Sequence, residues 1–176
     1  MSVNMRDRLQ PVLLDRLTDT APLSRVEAED SRVMNKSQIR EAVLRDLSWL
    51  LNSVQPLDKE LAKRFPVAAD SVLNYGLPAM SGQLASKIDV SLLERAIKQA
   101  ILRFEPRVME DSLQVTALDA SSVLDTHNVI EFEIQGFMWA QPVPLELLLR
   151  TQVDLEAGQV EVRDMASGTV SRRAPR

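Results

Sequence analysis

Leu93-Glu94-Arg95-Ala96-Ile97-Lys98-Gln99-Ala100-Ile101-Leu102-Arg103-Phe104-Glu105-Pro106-Arg107 is the stretch in which this chain changes architecture. Leu93, Ile97, Ala100, Ile101 and Phe104 recur at three- and four-residue spacing, which predicts one apolar face of a helix. Pro106 has no N–H to donate and its ring clashes with the turn behind it, so the helix stops there. Proline also turns Glu105 away from helical angles toward extended ones. An acid and a permanent cation, Glu105 and Arg107, therefore flank a stiff corner. Charges held this way pair with each other or with a partner. The plainer reading is a helix stop with two solvated charges.

Past the corner the apolar period changes from about 3.6 to 2. Leu113, Val115 and Ala117 alternate with Gln114 and Thr116, and Ile130, Phe132 and Ile134 alternate with Glu131, Glu133 and Gln135. Leu145, Leu147, Leu149, Thr151 and Val153 alternate with Glu146, Arg150, Gln152 and Asp154, and Val160 and Val162 with Glu161. These are four predicted strands, each with one wet face, so the sheet is expected to be mainly antiparallel. Ala157-Gly158 is a hairpin turn, Gly136 marks a bulge or a close approach, and Pro142 and Pro144 sit in a turn. The fold class is α+β, with N-terminal helices packed on a small, mainly antiparallel four-stranded sheet. An open sheet offers unpaired N–H and C=O groups at its edges. No helix follows the last strand to cover one.

Working back toward the N-terminus, Ser91 and Glu94 have capping-box spacing, and Glu94 with Lys98 is an i,i+4 pair. Asp70 to Pro78 reads as one helical turn closed by Gly76, with Val72, Leu73 and Tyr75 as a small apolar knot. Ser37 caps a helix from Gln38 to about Ser53 whose face carries Ile39, Val43, Leu47, Leu50, Leu51 and Val54. Glu41 and Arg45 pair on its other side, Pro56 ends it, and Asp58 to Phe65 adds a further turn or two. Leu9, Val12, Leu13 and Leu17 form a short amphipathic face with Pro11 near its start. A polar, charged stretch from Thr18 to Ser37 tethers it, so it docks on the body or on a partner. The organisation is an N-terminal segment and linker over 1–36, an α+β domain over 37–164, and a disordered tail over 165–176.

Composition narrows the chemistry. The chain has 176 residues and is 45% hydrophobic with few aromatics, enough for one core of Leu, Ile and Val. Its net charge is −4 and no basic cluster stands out, so nucleic-acid binding is not indicated. With no cysteine there is no thiolate chemistry, and a single histidine rules out a multi-histidine metal site. No apolar run approaches the roughly 18 residues of a membrane span. A cytoplasmic protein without cofactor, metal or small-molecule substrate is expected. His127 reads as a surface turn residue. Glu105 is one candidate acid for glycoside hydrolysis, but a cation as close as Arg107 is the wrong neighbour for a general acid. Glu131 and Glu133 read as solvated, and Trp49 and Trp139 as packing or interface residues.

Three motifs in order give the chain a family likeness. Leu13-Leu14-Asp15-Arg16-Leu17-Thr18-Asp19, Ser71-Val72-Leu73-Asn74-Tyr75-Gly76-Leu77-Pro78 and Phe104-Glu105-Pro106-Arg107 together resemble the TssE family. These are baseplate wedge proteins of the bacterial type VI secretion system, similar to the wedge proteins of contractile phage tails and sometimes labelled lysozyme-like. The likeness spans roughly Leu9 to Asp164. It implies a structural, non-enzymatic role, with other wedge subunits and the contractile sheath subunit as partners and the first sheath ring as the product of templating. It implies that Glu105, Pro106 and Arg107 make wedge contacts; Leu13, Leu14 and Leu17 join them as partner-binding candidates on their apolar spacing. On that view Arg107→Lys weakens assembly and leaves the isolated fold nearly intact. A peptidoglycan-type hydrolase and a stand-alone peptide-binding adaptor are the alternatives.

Overall fold

The change of period at Pro106 divides helices from sheet in a computed structural model of the chain, which describes residues 11–18, 22–23, 34–79, 89–118, 129–140 and 143–165. The helices are α1 (Leu13–Leu17), α2 (Lys36–Leu51), α3 (Lys59–Arg64), α4 (Pro66–Ala69) and α5 (Val90–Phe104). The strands are β1 (Gln114–Leu118), β2 (Val129–Met138), β3 (Leu145–Asp154) and β4 (Gln159–Asp164). They form one antiparallel sheet in the order β1-β2-β3-β4, as a meander. The α+β expectation holds. Most of the linker over 18–36, the tail beyond Met165, and His127 and Pro142 lie outside the described residues.

The two long helices cover the apolar face of the sheet. Val43, Leu47, Leu50 and Leu51 of α2 and Ile97 and Ile101 of α5 are buried against Phe132, Ile134, Leu147, Leu149 and Val153. Each such side chain contributes about 1.5–3 kcal/mol of burial free energy. Strand alternation puts Glu131, Glu133, Arg150 and Gln152 on the opposite face, where Gln152 donates to Glu131 at 2.5 Å. Gly158, at φ +66°, closes the β3–β4 hairpin as its sequence indicates. Gly136 sits in unbroken register opposite Leu147, so there is no bulge there. A Cβ at that position would meet Ser112 and Leu113 at an ordinary 3.5 Å.

Several local expectations give way to better partners. α2 is capped by Asn35 in a reciprocal box with Gln38, not by Ser37. It ends at Leu51 with Asn52 as its cap, before Pro56 is reached, which leaves Val54 outside the core and 60% exposed. Asp89 rather than Ser91 caps α5, since its side chain accepts from Ser91 and Leu92. Glu94 is drawn to a backbone N–H of β1 and Arg45 to two aspartates, so the local pairs with Lys98 and Glu41 are not the contacts made. Long-range partners at better geometry outweigh exposed i,i+4 pairs, which stabilise by only about 0.2–0.5 kcal/mol.

The Ser71–Pro78 stretch is a 3₁₀ turn, Val72–Asn74, followed by a strained exit. Val72 and Leu73 are exposed and form no apolar knot. Asn74 is the buried member: its side chain accepts from Leu57 N–H and donates to Ala69 C=O. Gly76 has φ +117°, and a Cβ there would lie 2.3 Å from the Ser53 carbonyl oxygen. Only glycine lets Leu77 pass close enough to bond Ser53 and Gln55 at 2.8 Å each.

Candidate functional site: the Glu-Pro-Arg corner

Glu105 is the C-cap of α5, with its N–H still bonded to Ile101 C=O at 2.8 Å while its own angles have left the helix. Pro106 then turns the chain out, and Val108 N–H closes the turn on Glu105 C=O. The turn aims Arg107 back across Pro106. Its Nε donates to Glu105 Oε1 at 2.6 Å and its Nη2 to Glu105 Oε2 at 2.5 Å, a bidentate fork. The Arg107 backbone N–H adds a third bond to Oε1. The acid and the cation therefore pair with each other. Glu105 is only 3% exposed, which overturns the reading of two solvated charges.

The pair does not stand alone. Arg107 Nη2 also donates to Asp46 Oδ2 of α2 at 2.6 Å. Asp46 Oδ1 accepts from Arg45 Nε and Nη2, and Arg45 Nη1 reaches Asp15 Oδ1 of α1 at 2.5 Å. Charges thus alternate from Glu105 through Arg107, Asp46 and Arg45 to Asp15, joining α5, α2 and α1. Burial pulls the Arg107 pKa down, but hydrogen bonds and attraction from Glu105 and Asp46 prevail and raise it above its ordinary value. The Asp15 bond raises that of Arg45, against burial, with Asp46 adding to it. Arg45 also lies over the Trp49 ring at 5.1 Å, a cation–π contact.

Tyr75 of the Ser71–Pro78 motif packs edge-on against Phe104, with ring centroids 5.1 Å apart. Burial raises its pKa, and the charges of Asp46 and Glu105 raise it further. A cavity of about 270 Å³ opens between these groups, walled by Val12, Trp49, Tyr75, Phe104, Pro106 and Arg107. The three separated motifs of the sequence therefore meet at one place.

α1 docks in an unexpected orientation. Its acid, Asp15, faces the body with its side chain 10% exposed, while Leu13 and Leu17 stand 71% and 74% exposed. Leu14 is also exposed. Leu13, Leu14 and Leu17 thus point away from the described body, while Val12 of the same face walls the cavity and Leu9 lies outside the described residues. Of the residues read as a binding corner, Glu105 is internal, Pro106 is exposed, and Arg107 keeps a partly open face. Asp15 and Asp46 were not singled out in the sequence, and Arg45 was read only as a partner of Glu41. Asp15 lies inside a quoted motif, but nothing in the spacing of Arg45 and Asp46 marks them, because their partners lie 30 and 61 residues away.

The corner is poor ground for acid catalysis. Both oxygens of Glu105 accept from Arg107, so neither is placed to hand a proton to a substrate. Among the described residues no group of His, Cys, Asp or Glu is arranged to hold a metal ion, and no helix is long and apolar enough to cross a membrane.

Residues 37–143, more than half of the chain, match the family model described as baseplate wedge protein gp25. No curated protein matches the chain, and no solved structure does.

Proposed function

The chain belongs to the baseplate wedge protein gp25 family, and from that premise we propose that it is a structural wedge subunit of a type VI secretion baseplate. It works in the cytoplasm, joins other wedge subunits and templates the first ring of the contractile sheath. The observation that supports this reading best is where the match falls. It takes in Arg45, Asp46, Glu105 and Arg107, and these residues form an ion-paired joint between helices rather than a reaction centre.

The partner surfaces in this proposal are the outward Leu13, Leu14 and Leu17 of α1 and the exposed side of Pro106 and Arg107. Glu105 acts beneath them, holding Arg107 in place. Residues 37–164 make the baseplate domain, flanked by the segment over 1–36 and the tail over 165–176. An extended segment of the sheath subunit pairs on a sheet edge, where backbone groups give affinity and alternate side chains give specificity.

The test is complementation of a strain lacking this subunit. Replacing Leu13, Leu14 and Leu17 by serine should leave thermal melting of the purified chain unchanged and lower its co-purification with wedge subunits. Sheath assembly should fall with it. Normal co-purification and sheath assembly in that variant would remove α1 from the proposed interface. Hydrolysis of peptidoglycan by the purified chain, lost on Glu105→Gln, would replace the structural reading with the hydrolase one.

A further inference from the structure

α1 is held to the body by one edge. Of residues 11–18 only Pro11, Val12 and Asp15 are not exposed, and no residue of the helix itself is fully buried. Val12, just ahead of it, supplies one apolar wall of the cavity that Trp49 also lines. Among the described residues a single side chain bonds α1 to the body: Asp15 Oδ1 accepts from Arg45 Nη1 at 2.5 Å. The other bonds of α1 run within the segment, from Arg16 N–H to Val12 C=O and from Thr18 N–H and Oγ1 to Leu14 C=O. A helix this short is not stable by itself in water, so α1 keeps its place through Asp15 and Val12.

This docking is opposed from within. Asp15 Oδ2 is buried and has no hydrogen-bond partner among the described residues, so half of the carboxylate has left water without a donor in exchange. Leu13 and Leu17 remain in water and add no apolar burial. The hold is also one-sided. Arg45 keeps Asp46 Oδ1 through Nε and Nη2 and lies over the Trp49 ring, all on α2, so it has partners whether or not Asp15 is present. Without Arg45, α1 is left with the Val12 contact alone.

We propose that α1 is a releasable strap, which leaves the body when the Asp15–Arg45 pair breaks while α2, α5 and the sheet stay folded. Docked, it fixes Leu13 and Leu17 in place beside the corner and closes one wall of the cavity of about 270 Å³. Released, it returns both Asp15 oxygens to water, withdraws Val12 from the cavity and opens Arg45 and the Trp49 ring. The polar stretch from Thr18 to Ser37 keeps it attached to α2. Low-stability segments of this kind open locally without global unfolding. The strap is a property of the free subunit and does not rest on the wedge reading.

The experiment uses the full chain. It has no cysteine, so Leu14→Cys places a single bimane label on α1, next to Asp15. Trp139→Phe leaves Trp49 as the one tryptophan, and contact with tryptophan quenches the label. Fluorescence lifetimes should separate a quenched, docked population from an unquenched, released one. Asp15→Asn should move their ratio toward release by about tenfold or more, the effect of one charge-assisted hydrogen bond. Arg45→Gln should do the same, and the two together should add little further. The urea midpoint of Asp15→Asn, followed by circular dichroism, should stay nearly unchanged. A single lifetime with Asp15 and Arg45 in place, quenched or unquenched, would show α1 fixed or never docked, and overturns the strap either way. A ratio unmoved by Asp15→Asn, or effects of the two variants that multiply, would overturn the pair as the hold. A clear fall in the urea midpoint would make α1 part of the cooperative body and overturn its independent release.

Discussion

Arg107→Met is the sharpest probe of the corner. The substitution keeps an unbranched apolar stem and deletes the guanidinium. Glu105, with a side chain only 4% exposed, then keeps a single donor, the backbone N–H of residue 107. Asp46 fares better, since Arg45 still bonds its other oxygen. Removing one member of a buried pair strands the other charge and costs about 3–5 kcal/mol. That is a large part of the roughly 5–15 kcal/mol by which domains are stable. At a urea slope of about 2 kcal/mol per molar, the unfolding midpoint should fall by about 1.5–2.5 M.

Adding Glu105→Gln to Arg107→Met neutralises the stranded charge, so the double variant should regain about 2 kcal/mol or more over Arg107→Met alone. Arg107→Lys keeps a charge without the planar fork that spans two carboxylates, and should lose about 1–3 kcal/mol. This bonding pattern predicts a cost to the isolated fold in Arg107→Lys, where the motif alone predicts that lysine leaves it nearly intact. The assay is urea unfolding followed by tryptophan fluorescence, with the slope checked for constancy. A loss under about 1 kcal/mol in Arg107→Met, or a double variant no more stable than the single, would refute the buried-pair argument.

Gly76→Ala forces a side chain into φ +117° and a Cβ to 2.3 Å from the Ser53 carbonyl oxygen. It should cost about 3 kcal/mol or more by urea unfolding, and an unchanged midpoint would show that the Ser53–Leu77 crossing is not held as described. Tyr75 is the only tyrosine, so phenolate absorbance reports on it alone. Its folded pKa lies above the ordinary 10.0, chiefly through burial. The stability it contributes is full below that ordinary value and is lost as pH rises through the raised one. Phenolate should thus appear at higher pH in the folded chain than in urea, and coincident titrations would contradict the burial of the ring.

The sequence by itself determined the elements. Apolar periods of about 3.6 and then 2 gave helices followed by strands, because side-chain direction follows backbone geometry within each element. Pro106 placed the break between them, and a glycine at 158 placed the hairpin, since both act through steric limits on one or two residues. What the sequence left open were the partners of polar side chains. Glu94 had Lys98 one turn away, and Arg45 had Glu41, yet each went to a group brought near only by packing. Asn52 reaches Val160 across 108 residues, and Arg107 reaches Asp46 across 61. A charge or an amide can satisfy its bonds in many local ways of similar free energy. The choice falls to whichever partner the packed core holds at the right distance with water excluded. That is why the corner's position was legible along the chain, while its third member Asp46, the outward turn of Leu13 and Leu17 and the bond from Asn52 to β4 were decided only when helices and sheet came together.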